Sequence, residues 1–244
     1  MALTAYQVQT RALLQLPGSA SNSLYADVDI TRWINLARGQ IAIEPQNSCI
    51  RAMGTISTVA AQQSYNFSSV STGVSATTGI QGIINIRSLS YSVASGQLWI
   101  TPHPWPWFSL YNLNNAVPKS GAPASWAQFA QGAGGSFYLG PTPDAIYVIN
   151  CNSVCYPIAL VDDTTVEAMP YPWTDCVPFL AAYYALLSAQ TNARMADALN
   201  YYKMYGEFAE RARAASNPET NRWMYQSAGD PAQGPKMGIS KGAA

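Results

Sequence analysis

One long stretch of this chain is almost free of charge. Between Pro45 and Val161 only Arg51, Arg87, Lys119 and Asp144 are charged, four in 117 residues, while the other 127 residues hold 22. An exposed monomer surface needs charges for solubility. A surface covered by neighbours does not, because an unpaired charge is costly to bury whereas amides and hydroxyls pair across a contact. The pattern therefore favours a subunit of a large assembly over a free enzyme. Lys+Arg and Asp+Glu balance at 13 each, which argues against a free basic DNA binder. Seven Trp, fifteen Tyr and six Phe exclude a disordered chain.

The charged ends read as helical. Leu3, Tyr6, Thr10, Leu13 and Leu14 share one stripe that Pro17-Gly18 stops. Asp29 is expected to cap a second helix with Ile30, Trp33, Ile34, Ala37 and Ile41 on one face, ended by Pro45. At the other end, Thr174 is expected to cap a helix through Cys176, Leu180, Tyr183, Tyr184 and Leu187. A longer helix from about Asn192 places Leu199, Tyr202, Tyr205, Phe208 and Ala212 on one face, with Asn217-Pro218 ending it. The middle reads as strands at 64–68, 83–93, 97–101, 136–139 and 145–151, the last two expected to form a hairpin around Gly140-Pro-Thr-Pro-Asp144. The expected fold is α+β: an antiparallel bundle of about four helices from the two ends (1–45 and 171–217), a β-rich insertion (46–170), and an extended C-terminal arm (218–244). The start lacks a basic leader with an apolar run, and the apolar stretch from Val177 to Ala189 is too short for a bilayer. Synthesis in a cytoplasm, with no membrane partner, is expected.

Catalytic chemistry finds little support. His103 is the only histidine, and Cys151 and Cys155 form a lone C-x₃-C without a second pair at zinc spacing. Four cysteines are too sparse for a disulfide framework, so buried reduced thiols are expected. No Gly-x-Ser-x-Gly elbow or phosphate loop occurs, and Asp162-Asp163 suits turn capping. No catalytic residue, metal or cofactor is expected. The segment from Trp99 to Phe108 is unusual: His103, Trp105 and Trp107 alternate with Pro102, Pro104 and Pro106, between Trp99 and Phe108. Such a stiff ribbon suits stacking on sugar rings, contact with another protein, or a core-facing corner of the β region.

The order of elements resembles the head-to-tail connector (adaptor) proteins of short-tailed bacteriophages. The resemblance rests on Leu139-Gly-Pro-Thr-Pro-Asp144-Ala-Ile-Tyr-Val148, Pro157-Ile-Ala-Leu-Val-Asp-Asp163, Pro178-Phe-Leu-Ala-Ala-Tyr-Tyr-Ala-Leu186, Ala196 to Phe208, and Asp29-Ile-Thr-Arg-Trp-Ile-Asn-Leu-Ala-Arg38, similar to a "W-x-N-x-A" helix of that family. It implies a homo-oligomeric ring, usually of twelve copies, at the head–tail junction of the virion. The partners implied are the portal protein, the tail nozzle with fibres or tailspikes, and genomic DNA passing through without sequence recognition. A portal-binding arm would carry Arg222, Trp223, Met224, Tyr225, Lys236 and Met237. Tail-side contacts would come from Trp99, His103, Trp105, Trp107 and Phe108. Arg194, Lys203, Arg211 and Arg213 are channel-facing candidates; mixed with Asp197, Glu207 and Glu210, they would let DNA slide where an all-basic lining would grip phosphates. The alternative is a carbohydrate-binding or receptor-contacting tail component.

Overall fold

A computed structural model describes residues 1–15, 25–44, 47–71, 75, 77–93, 96–113, 119–188 and 192–216. Its elements in chain order are α1 (Leu3–Leu13), α2 (Asp27–Ile43), β1 (Arg51–Ser57), β2 (Ser64–Asn66), β3 (Ile80–Val93), β4 (Gly96–Pro102), the single turn α3 (Trp105–Phe108), β5 (Ser125–Phe129), β6 (Ser136–Gly140), β7 (Val148–Pro157), α4 (Val177–Ser188) and α5 (Asn192–Ser216). The strands lie in one sheet of order β1-β7-β3-β4-β5-β6-β2. All neighbours are antiparallel except β4 and β5, which pair in parallel through Thr101↔Ser125 and Pro102↔Trp126.

This architecture corrects the expected helical bundle with an inserted β domain. Among the described residues there are five helices on a curled, seven-stranded mixed sheet. One hydrophobic core runs without a break from Leu3 and Tyr6 of α1, through Ile34 and Ile41 of α2 and Leu180 of α4, to Leu89 and Ile149 in the sheet. The physical reason is that α2 has partners on two sides. Its buried stripe meets α4, and it also packs on β7, where Gly39 approaches Tyr156 too closely to leave room for a side chain. The expected arm, 218–244, lies outside the described residues.

The curl has a local cause in β3. Ile80, Ile83, Ile86 and Leu89 are buried three residues apart, a spacing foreign to a regular strand, whose faces alternate every two. The β3–β7 register explains it: Ile80↔Pro157, Ile83↔Cys155, Ile86↔Ser153 and Leu89↔Cys151, with a shift between each step. Three residues of β3 oppose two of β7, and each extra residue is a bulge that strengthens the twist. At one bulge the Ile86 N–H donates to the side-chain oxygen of Gln128 on β5 at 3.1 Å.

Other expectations also shift. β1 and β5 had no sequence signal. The strands flanking Gly140-Pro-Thr-Pro-Asp144 do not form a hairpin, because β6 pairs with β5 and β2 while β7 pairs with β1 and β3. Pro141 and Pro143 carry no N–H for a ladder there. α2 starts at Asp27, with Asp29 in its first turn and not at the cap. On α5 the buried face is Ala198, Tyr205, Ala209 and Ala212, whereas Leu199 and Tyr202 are exposed.

Candidate assembly surfaces

The segment after β7 is bolted to α2. Arg38 is buried and donates to both carboxylate oxygens of Glu167, through Nε at 2.9 Å and an Nη at 2.7 Å. Its other Nη donates to the Asn35 side-chain oxygen at 3.0 Å and the Ile158 carbonyl at 2.8 Å. Asn35 pairs with Leu160 as a strand would, accepting from its N–H at 2.8 Å and donating to its carbonyl at 2.9 Å. The motif Trp33-Ile-Asn35-Leu-Ala37-Arg38 thus has a structural meaning: Trp33 meets the Tyr25 ring edge-on, Asn35 and Arg38 hold the segment after β7, and buried Ala37 faces the core. Sequence reasoning missed Arg38 and Glu167. The available signal was an arginine one residue beyond Ala37 on an otherwise apolar stripe.

The Pro-rich aromatic segment is not an extended ribbon. β4 ends at Pro102, the His103 N–H donates to the Trp126 carbonyl at 2.8 Å, and Trp105–Phe108 forms a helical turn that continues into a wider turn at Ser109–Leu113. Pro104 and Pro106 are compatible with this because a first helical turn leaves its N–H groups unpaired. The aromatic side chains divide. Phe108 is fully buried, and Trp105 packs against Phe129 and Tyr138 with centroids 4.7 and 4.8 Å apart. His103 stacks on Trp107 at 3.8 Å, and Trp107 leans on Tyr111 at 5.1 Å. Trp107, Leu110 and Tyr111 remain exposed at this ledge, and Trp99 stands 67% exposed on β4.

On α5, Lys203 and Arg211 are exposed and Arg194 is partly so. Arg211 covers the Phe208 ring at 5.4 Å. Arg213 is used internally: its Nε donates to the Asn47 side-chain oxygen at 2.8 Å and an Nη reaches Glu44 at 3.3 Å. Tyr205 donates to the other Glu44 oxygen at 2.9 Å, and burial followed by that carboxylate pushes its hydroxyl pKa up. This network ties α5 to the end of α2. The arm candidates Arg222, Trp223, Met224, Tyr225, Lys236 and Met237 lie outside the described residues.

A family model described as "SU10 adaptor protein" matches residues 3–231, nearly the whole chain. The chain belongs to the SU10 adaptor protein family. It is therefore a phage structural adaptor, a virion component that contacts other phage structural proteins. A search of curated proteins finds no match.

Polar groups of the adaptor that could suggest chemistry have structural uses. Burial pushes Cys49, Cys151 and Cys176 up to about 12 and Cys155 up to about 11, and none is in a disulfide. Such thiols carry almost no thiolate at neutral pH. Asp162 accepts from the N–H groups of Thr164 and Thr165, each at 3.0 Å, and Asp163 accepts from the Thr4 N–H at 2.7 Å in the first turn of α1. Hydrogen bonds to their ionised forms hold both carboxyls below the usual range. Among the described residues no group of three or more His, Cys, Asp or Glu could hold a metal ion, and no helix is long and apolar enough to cross a membrane.

Proposed function

We propose that this adaptor stands at the head-to-tail junction of a short-tailed phage. It forms a closed ring, of twelve copies as in similar connectors, between the portal and the tail nozzle with its fibres or tailspikes. The role is assembly, without catalysis. The observation that carries this reading is the pairing of a nearly uncharged sheet with an exposed aromatic ledge. Trp99, Trp107 and Tyr111 present ring surface where charged side chains are scarce, and aromatic anchors with few charges are typical of the centres of protein contacts. Family membership supports the same reading, and so do buried thiols that carry almost no thiolate at neutral pH. Arg194, Lys203 and Arg211 are the candidates to line the DNA channel, because Arg213 is committed to Glu44 and Asn47. The ledge faces the tail components, and the 218–244 arm docks on the portal.

Light scattering and co-sedimentation with purified portal test this. Rings that co-sediment are expected, and deleting 218–244 is expected to abolish attachment while leaving α4 and α5 folded. A monomer that ignores portal would refute the reading. A second reading, contact with a carbohydrate receptor, is favoured only by the exposed aromatic surface at Trp99, Trp107 and Tyr111. Glycan-array binding lost on Trp107→Ala would promote it.

A further inference from the structure

A groove of about 360 Å³ lies between α1, α5 and the start of α4. Ala12 and Leu13 form one wall; Pro178, Phe179 and Phe208 form the other, with the two phenylalanine rings stacked 4.7 Å apart. Among the described residues that line the groove, Asp175 carries the only ionisable side chain. Among the described residues no hydrogen bond or ion pair reaches that carboxylate.

We propose that this groove is the resting socket of the adaptor's own C-terminal arm, occupied by Arg222-Trp223-Met224-Tyr225. The inference rests on the arm being a docking element and adds where it sits in the free subunit. Three observations carry it. First, the described chain ends beside the groove: Ser216 accepts from the Trp173 indole N–H at 3.0 Å, and Trp173 begins the 3₁₀ turn Trp173–Cys176 that contains Asp175. Second, the reach is sufficient. Phe208 precedes Ser216 by eight residues, about 12 Å along the helix, and six further residues span up to about 20 Å. Third, the chemistry is complementary. An indole and a thioether pack well against aromatic walls, and Arg222 supplies the cation that a lone carboxylate attracts. The arm carries the only tryptophan beyond Trp173, followed directly by Met224 and Tyr225.

An arm held this way is hidden until a surface that binds it better displaces it, so its affinity for a partner is lowered by the fraction of time it is docked. Assembly would then proceed only where the portal offers the competing site.

Trypsin cleavage of the Arg222–Trp223 bond, followed by mass spectrometry in the full-length protein, tests the proposal. Each rate is compared with that of a synthetic peptide of residues 217–230 carrying the same sequence. The wild-type chain is expected to be cut about tenfold more slowly than its peptide, because cleavage follows the undocked population. Ala12→Trp, at an exposed position that fills the groove, should bring the rate up to that of the peptide. Trp223→Ala should do the same without altering any described residue, and it decides the matter if Ala12→Trp misfolds. Protection should not change on dilution. A wild-type chain cut as fast as its peptide, or protection unchanged in Trp223→Ala, would overturn the proposal; protection lost on dilution would place the arm in another copy's groove and overturn it equally. Portal co-sedimentation is read separately: full attachment with no protection refutes the socket alone, and protection without attachment refutes the portal role alone.

Discussion

The α2 seam and the aromatic ledge handle their side chains in opposite ways. At the seam, Arg38 and Glu167 have side chains 1% and 5% exposed, and every polar atom named there has a partner inside the same subunit. At the ledge, Trp107, Leu110 and Tyr111 stay open to solvent, and Trp99 is the most exposed tryptophan among the described residues. The seam spends charge internally to fix α2 against the return from β7. The ledge withholds apolar surface from the core. A region satisfied within one subunit sets stability, whereas a region left open sets what the subunit can join.

Substitutions can break or sharpen this contrast. The largest effect is expected from Glu167→Ala, which leaves the Arg38 guanidinium buried without its carboxylate. Breaking such a pair costs about 3–5 kcal/mol, and chemical denaturation should show it; a loss below about 1 kcal/mol would mean that water reaches Arg38 and that the seam is not sealed. Gly79→Ala comes next. Gly79 holds φ +68°, its carbonyl accepts from the Ile158 N–H at 2.8 Å, and an added Cβ would lie 2.3 Å from the Val166 carbonyl oxygen. Strain of that kind costs about 1–3 kcal/mol, read as a lowered melting temperature with the α-helical signal retained; an unchanged melting curve would show that the loop can move aside. The smallest change in stability is expected at the ledge, where Trp107→Ala should stay within about 0.5 kcal/mol and instead weaken attachment of the tail component. Lost stability with full attachment would turn the ledge into a piece of the core and end the contrast.

Much of the helical skeleton was legible because burial follows residue type at a fixed period. The stripes of α1 and α2 contain the expected Leu3, Tyr6, Thr10, Ile30, Ile34, Ala37 and Ile41. α5 was misread because Leu199 and Tyr202 look like core residues, yet small Ala198, Ala209 and Ala212 occupy the buried face, where the helix packs on α4. β1 runs seven residues, but only Gly54 and Ile56 within it are buried, so a single large apolar side chain marks its inner face; β5, Ser-Trp-Ala-Gln-Phe, has no alternation to read. The candidate surfaces were half legible. The aromatic segment stood out by composition, but nothing in its spacing separated buried Phe108 and packed Trp105 from open Trp107.

By itself the sequence determined where charge could not go, which segments could be helices, and, through its motifs, the adaptor family. Those are consequences of composition and local period, which each residue carries with it. Tertiary structure decided that helices and sheet share one core, that β3 presents an isoleucine every third residue, and that Arg213 and Arg38 face inward. Each depends on a partner more than a hundred residues away, or on a bulge whose register exists only once two strands have paired, and no local pattern encodes such a partner.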